Sequence, residues 1–168
     1  MNKELVINAT SSEVRIALLE NKKLVELHEE KPNNEYSVGD IYLGKVKKLV
    51  PGLNAAFVNV GYERDAFLHY LDLGPHLQSL QKFVKNTRTG KQDSPELGGF
   101  KFSEEIDKNG NIKDVLVQGQ EILVQVSKEP ISTKGPRINC EVSLAGRFLI
   151  LVPFSEKVNI SSKIRSKA

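Results

Sequence analysis

The sequence predicts a mainly β protein whose centre is a small five-stranded barrel. Apolar and polar residues alternate with a period of two in five segments, as expected for strands that bury one face. Turn-forming residues separate neighbouring segments, notably at 51–52 and 61–64. A stretch without this alternation, about 71–117, lies between the third and the fourth segment. Five strands with a helix and a long loop inserted before the fourth are typical of a Greek-key barrel of the OB type.

The barrel is assigned to residues 38–145. In the segment 54–60, the side chains of Ala56 and Val58 point to one face of the sheet and that of Phe57 points to the other, because a strand alternates sides at every residue. The fourth segment sets Ile122 and Val124 against Leu123 in the same way. The five strands are predicted at the following positions: 41–50, 54–60, 65–70, 121–128 and 137–144.

The insertion is predicted to contain two helices and a long loop. Helical spacing of Leu77, Leu80, Phe83 and Val84 after a proline predicts a helix over 75–86. Residues 87–111 have no period and are interpreted as a loop. The sequence IKDVL, which follows that loop, predicts a second, short helix.

The segments that flank the barrel are predicted to be strands without a core of their own. Residues 4–9, 13–19 and 24–30 alternate before the barrel, and the apolar run RFLILVP follows it. A continuous apolar run is typical of a strand buried on both faces. The two flanks are therefore expected to pair with each other and to need a further layer that covers them.

The composition restricts the class of protein. The net charge is +3, but residues 121–168 hold eight bases and four acids, which favours an anionic partner. Cys140 is the only cysteine, so neither an internal disulfide nor a cysteine-rich zinc site is expected. No apolar run has the length of a signal peptide core or of a membrane span. A cytoplasmic protein is therefore expected.

The outward face of the barrel carries the main indication of function. Strand phase directs Phe57, Phe67 and His69 outward, with Lys45 and Lys47 on the polar face of the preceding strand. OB barrels bind oligonucleotides on such a face, where rings stack on bases and cations meet phosphates. Two alternatives stay open: the phase flips at a bulge, or the inserted helix covers the rings. His69 alone is more often a hydrogen-bonding surface residue than a catalyst.

The sequence offers no catalytic or metal site. Its aspartates are scattered, no two carboxylates have a spacing that places them together on one element, and no phosphate-binding glycine loop is present. The acidic run at 104–107 is typical of a solvated loop. No nucleophile with an adjacent base is recognisable.

Three long blocks resemble the N-terminal part of the bacterial ribonuclease E/G family. They are INATSSEVRIALLENKKLVEL, IYLGKVKKLVPGLNAAFVNVGYERDAFLH and GQEILVQVSKEPISTKGPRINCEVSLAGRFLILVP, and they cover nearly the whole chain except about 75–110. The resemblance implies a barrel of the subtype named after ribosomal protein S-one, inserted into an incomplete ribonuclease-H-like subdomain. Residues 1–37 would supply the first strands of that subdomain, and 146–168 its return strand and a truncated tail.

The resemblance also implies site residues. Phe57, Phe67 and Lys134 fall where the family contacts single-stranded RNA, and Arg137 is expected to meet phosphates nearby. Backbone groups at Gly146 and Ile150 fall where the family holds a 5′-monophosphate. The family cuts RNA with magnesium and links its subunits through zinc, using residues downstream of this match. The chain is therefore expected to bind single-stranded RNA without cutting it, beside a downstream catalytic region in a homo-oligomer.

Other functions remain compatible with the sequence. The first is a separate OB-fold RNA-binding protein associated with translation or ribosomes. The second is a self-sufficient metal nuclease that uses the loop acids, and the third is a protein-binding OB module, because a fold does not determine its ligand.

Overall fold

The structure is a computed structural model that describes residues 2–30, 35–92, 94, 96–146 and 149–156. The chain divides between Glu35 and Tyr36 into two compact units. The assignment of the flanks to a ribonuclease-H-like subdomain, with boundaries after residues 37 and 145, stays a prediction.

The first unit is a three-stranded antiparallel sheet with the order β1 (Lys3–Ala9), β2 (Val14–Glu20) and β3 (Lys23–Glu30). These are the three strands predicted from the alternation. Asn21 and Lys22 form the turn between β2 and β3 with positive φ angles, the conformation that a two-residue hairpin loop requires. Apolar side chains of both edge strands stay exposed, so this sheet retains apolar surface that a further layer could bury.

The second unit contains the closed barrel. Its strands are β4 (Ile41–Val50), β5 (Ala55–Asn59), β6 (Ala66–His69), β7 (Glu121–Lys128) and β8 (Arg137–Asn139). Their order around the barrel is β4-β5-β6-β8-β7, and β7 pairs back with β4. Only the β6–β8 pair is parallel among these neighbours. The predicted five-stranded barrel is confirmed.

The interior of the barrel is filled by the residues that alternation directs inward. Burying each of the larger apolar side chains among them is worth about 1.5–3 kcal/mol, which is the main source of stability for the unit. The cluster also includes Tyr70, Leu73 and Leu77 from the start of the insertion. The inward residues of the strands are Val46, Ala56, Val58, Ala66, Leu68, Ile122, Val124, Val126 and Ile138.

The insertion contains the two predicted helices, α1 (Leu77–Arg88) and α2 (Ile112–Val115). Asn54 holds the returning end of the insertion. Its side chain donates to the Gly110 carbonyl over 3.1 Å and accepts from the Ile112 amide over 2.7 Å. The Tyr70 hydroxyl donates to the carbonyl of Asp107 on the same side of the loop. Burial raises the pKa of that hydroxyl.

The last predicted barrel strand is shorter than its sequence pattern. The chain leaves the sheet after Asn139, because the Cys140 amide donates to the carbonyl of Asp72 over 2.8 Å instead of continuing the ladder. Cys140 nevertheless stays buried, as the alternation predicts. Gln125 replaces the missing strand pairing with side-chain bonds: its amide nitrogen donates to carbonyl oxygens of Gly39 and Ser143, and its oxygen accepts from the Ser143 amide, each over 2.9 Å.

The segment after the barrel differs from its prediction. β9 (Leu144–Ala145) and β10 (Ile150–Leu151) pair with each other, and the first flank pairs within its own sheet. Leu149, Ile150 and Leu151 are 60–65% exposed, so the prediction of a strand buried on both faces is wrong for these residues. A two-stranded ribbon has no second sheet to cover it. Residues 147–148 of the predicted strand lie outside the described residues.

The helices in the described ranges are short. None of them is long and apolar enough to cross a membrane.

Candidate nucleic-acid interface

A row of four side chains crosses the outer face of the barrel. Lys48 of β4 lies opposite Phe57 of β5. Phe57 lies opposite Phe67 of β6, which lies opposite Arg137 of β8. Residues directly opposite each other on paired strands project from the same face of a sheet. We call this set the aromatic row; it consists of two rings with a cation at each end.

The two rings of the aromatic row contact each other. The centroids of Phe57 and Phe67 are 5.9 Å apart, with an edge-to-face angle of 68°. Both rings are partly exposed, whereas their neighbours Val58, Ala66 and Leu68 are fully buried. The phase therefore does not flip in β5 or β6, and the outward orientation predicted for the rings is confirmed. An aromatic pair of this geometry adds about 0.5–1.5 kcal/mol, which partly offsets the exposure.

A bulge in β4 brings a cation that the sequence pattern missed to the aromatic row. The register shifts between Val46 and Lys48, so one residue is left without a directly opposite partner. Val46 stays buried, and Lys45, Lys47 and Lys48 are all exposed. Simple alternation would turn Lys48 inward; the bulge restores it to the outer face, beside Phe57. The sequence signal that could have indicated this bulge is the pair of consecutive lysines, Lys47 and Lys48, before an apolar pair.

The loop between β7 and β8 carries Lys134 to the other side of the rings. Ile131 and Lys134 close a tight turn through two backbone hydrogen bonds of 3.0 and 3.3 Å. Two residues later, the Pro136 carbonyl accepts from the amide of Phe67 over 2.9 Å. Gly135 lies between these anchors and packs against the backbone of residues 64–65. The exposed Lys134 is therefore held near Phe67 by backbone contacts.

His69 makes a local hydrogen bond, as expected for a lone histidine at the end of a strand. It lies opposite Ala55 at the end of β6, and its Nδ1 accepts from the Leu71 amide over 3.1 Å. That bond caps the 3-10 turn Tyr70–Asp72. Because Nδ1 is an acceptor here, the neutral ring carries its proton on Nε2, which can donate to a phosphate oxygen.

Arg137 forms a bidentate ion pair. Its Nε donates to Oδ2 of Asp72 over 3.1 Å, and its Nη2 donates to Oδ1 and Oδ2 over 3.2 and 2.8 Å. The cation at this end of the aromatic row is thus engaged by a carboxylate. Asp72 was among the scattered acids of the sequence, and no local pattern linked it to Arg137, which is 65 residues away.

Gly146 directly follows β9 and Ile150 begins β10, and both are apart in sequence from the aromatic row. The Gly146 amide donates to the carbonyl of Leu149 over 2.8 Å, and Ile150 pairs with Ala145. The amide predicted to help hold a 5′-phosphate is therefore used within the ribbon in this structure.

The described ranges contain no group of three or more acidic, histidine or cysteine side chains that could hold a metal ion. Loop acids have local roles: Asp40 accepts from the amide of Ser37, and Asp107 from the amide of Asn109. Complete burial raises the pKa of Cys140 to about 12, so this thiol stays protonated at neutral pH. The described residues therefore offer no ligand set for the magnesium or zinc that the family resemblance implies.

A second concave surface differs in chemistry from the aromatic row. It is a groove of about 840 Å³ with mostly apolar lining, which includes Ile41 and Leu43 of β4, Leu123 of β7 and Phe83 of α1. Such a lining suits packing against protein rather than contact with a charged strand.

Comparisons with known proteins find ribonucleases among the relatives of this chain. It is 33% identical over 168 residues to ribonuclease G of Salmonella typhimurium, an alignment of 100% of this chain and 30% of that protein. It is 36% identical to ribonuclease G of Haemophilus influenzae over 98% of this chain and 30% of that protein. Ribonuclease E of Nostoc is 37% identical over 79% of this chain and 16% of that protein.

Two further results describe how far the match between this chain and its relatives extends. The chain spans 30% of the length of the ribonuclease G relatives that it matches. No family model matches it. The relatives agree with the family resemblance of the three sequence blocks, and they are consistent with an N-terminal region of a ribonuclease E/G protein.

Proposed function

We propose, from the homology of this chain to ribonucleases G and E, that its barrel binds single-stranded RNA across the aromatic row. The observation that carries the proposal is the pair of partly exposed rings, Phe57 and Phe67, on neighbouring strands of an OB-type face. Every base has a π-face, so such rings accept any sequence. Bases are available to them in a single strand, because in a duplex they are stacked on each other.

The cations around the rings support the same function. On one side of the rings, β4 carries three exposed lysines, Lys45, Lys47 and Lys48. On the other side, the loop between β7 and β8 carries Lys134. A single strand of RNA whose bases stack on the two rings would place its phosphates within reach of these lysine ammonium groups. His69 would contribute the donor on Nε2. The sequence predicted a phosphate contact for Arg137 as well, but its guanidinium is engaged by Asp72, and Arg137 is not part of the proposed contact set.

We further propose that the complete protein is a magnesium-dependent endoribonuclease of the cytoplasm that processes or degrades single-stranded RNA. Its cutting residues would lie outside these 168, in a downstream region that also forms the homo-oligomer. That region would complete a 5′-monophosphate pocket with Gly146 and Ile150. The support is the match of this chain to about a third of ribonuclease G.

We expect RNA binding to weaken as the salt concentration rises, because phosphate contacts release counterions. The measurement is fluorescence anisotropy of a labelled oligouridylate of about 12 nucleotides, within the site size of an OB fold. Lys134→Gln should make the slope of log K against log salt shallower by about 0.7, the value for one phosphate of a single strand. Lys108→Gln, at an exposed lysine of the insertion loop, is the matched control and should leave the slope unchanged. A flat response in the wild type would contradict the proposal.

We expect no cleavage of RNA by this chain when magnesium is added. The measurement follows the length of the same oligonucleotide on a denaturing gel, with a chelator in the parallel sample. Magnesium-dependent shortening that persists after further purification would contradict the placement of the cutting residues. It would support the alternative of a self-sufficient metal nuclease.

A further inference from the structure

The two ends of the aromatic row carry cations in different states. Lys48 makes no ion pair with any residue that the structure describes, and its side chain is exposed. Arg137 at the other end meets Asp72 in a two-pronged contact of 2.8–3.2 Å. The row is therefore charged at its β4 end and neutralised at its β8 end.

The contact of Arg137 has the geometry of phosphate recognition. A guanidinium grips a phosphate through two parallel N–H donors, and a carboxylate presents two oxygens in a similar arrangement. Asp72 uses Nε and Nη2 of Arg137, which form one of the two edges through which a guanidinium can bind a phosphate. Both partners remain accessible, with side chains 43% and 22% exposed for Arg137 and Asp72.

The pair is held in place by the fold. The carbonyl of Asp72 accepts from the amide of Cys140, three residues after Arg137. Asp72 also ends the 3-10 turn that His69 caps. The carboxylate thus lies on a fixed backbone beside β8, so its contact with the guanidinium does not need a flexible loop to be ordered first.

We propose that Asp72 masks Arg137 and makes RNA binding on the aromatic row one-sided. The carboxylate neutralises the charge of the guanidinium and occupies one of its two binding edges, so RNA phosphates are held at the Lys48 end and by Lys134 but not by Arg137. This inference rests on the proposed function. It assigns to Asp72 the role of a positioning residue that acts through Arg137, and it sets how many phosphates the face can neutralise.

The masking has a measurable size. Freeing one guanidinium adds one phosphate contact, which steepens the slope of log K against log salt by about 0.7. With that slope, one contact is worth about 5-fold in affinity at 0.1 M salt. A substitution that only damaged the fold would lower affinity and would not steepen the slope.

The experiment compares Asp72→Asn, Arg137→Gln, the double variant and Lys48→Gln by anisotropy with labelled oligouridylate over about 0.05–0.3 M salt.

Asp72→Asn should bind about 5-fold more tightly at 0.1 M, with a steeper slope. Arg137→Gln should bind no more tightly than the wild type, because it leaves the Asp72 carboxylate unpaired, and Lys48→Gln should have a slope shallower by about 0.7. The double variant, which removes both charges of the pair, should lose the gain and match the wild type in affinity and slope. Thermal unfolding of each variant checks the fold. The backbone carbonyl of residue 72, which accepts from the Cys140 amide, is present in every variant.

Three outcomes would overturn the masking: a folded Asp72→Asn variant that binds as the wild type does, a double variant with a shallower slope than the wild type, or a double variant that keeps the gain. The last would mean that removal of a negative charge, and not release of Arg137, causes the effect. If Asp72→Asn is destabilised, Asp72→Ser supplies the same comparison. Failure of the wild type to bind RNA would overturn both proposals, whereas wild-type binding that depends on Phe57 without these slope changes would overturn the masking alone.

Discussion

Phe57→Ala and Phe67→Ala are each expected to weaken binding of single-stranded RNA by about 5- to 150-fold. This range corresponds to the loss of about 1–3 kcal/mol of stacking per base, at 1.4 kcal/mol for each tenfold change. The two losses should not add fully, because the rings contact each other at 5.9 Å and each removal also disturbs the other ring. Fluorescence anisotropy at one fixed salt concentration measures the effect.

The matched control for the ring variants is Phe102→Ala. Phe102 is 55% exposed in the insertion and belongs to a different aromatic cluster, with Phe100 and Phe154. The Phe102→Ala variant should leave the affinity for single-stranded RNA unchanged. Unfolding by urea should show that both barrel variants remain folded, since partly exposed rings lose less burial than core residues. Unchanged affinity in both folded variants would contradict the assignment of the aromatic row to RNA.

Gly135→Ala is expected to destabilise the barrel by about 1–3 kcal/mol or more, because a methyl group there has no space. A Cβ at this position would lie 2.8 Å from the carbonyl oxygen of Arg64 and closer still to that of Asp65. Backbone atoms cannot swing aside as the end of a side chain can. The loop that carries Lys134 would therefore separate from the β5–β6 loop, next to the hydrogen bond between Phe67 and Pro136.

Two measurements check the glycine prediction. The free energy of unfolding in urea should fall relative to Gly98→Ala, because an added Cβ at Gly98 meets no atom within 4 Å. RNA affinity should fall as well, since Lys134 is displaced. Equal stability of the two alanine variants would refute the close approach of the two loops.

Strand phase was predictable from the sequence, because it depends only on local alternation. Val58 and Leu68 are buried, and Phe57 and Phe67 point outward, as a period of two requires. The order and closure of the strands followed from the position of the insertion, since an OB barrel is recognised by its five strands and the element before the fourth. Helix α1 followed from its apolar spacing.

The parts that the sequence did not predict depend on contacts between distant residues. The bulge that brings Lys48 to the rings is a property of pairing between β4 and β5, which alternation in one strand does not encode. The pairing of Arg137 with Asp72 joins elements 65 residues apart. An apolar run was predicted to be buried, but Ile150 and Leu151 are exposed because burial requires a covering partner as well as apolar residues. The roles of individual site residues in RNA binding stay predictions.

The side chain of Asn54 has a consequence for the evolution of the chain. By bonding Gly110 and Ile112, it fastens the returning end of the insertion to the barrel, and Leu77 of α1 packs into the core at the other end. Everything between α1 and Gly110 is then a loop with fixed ends, and doubling the length of such a loop costs only about 0.6 kcal/mol. Relatives of this protein can therefore lengthen, shorten or exchange this segment as a cassette, while the face that carries the two phenylalanines keeps its geometry.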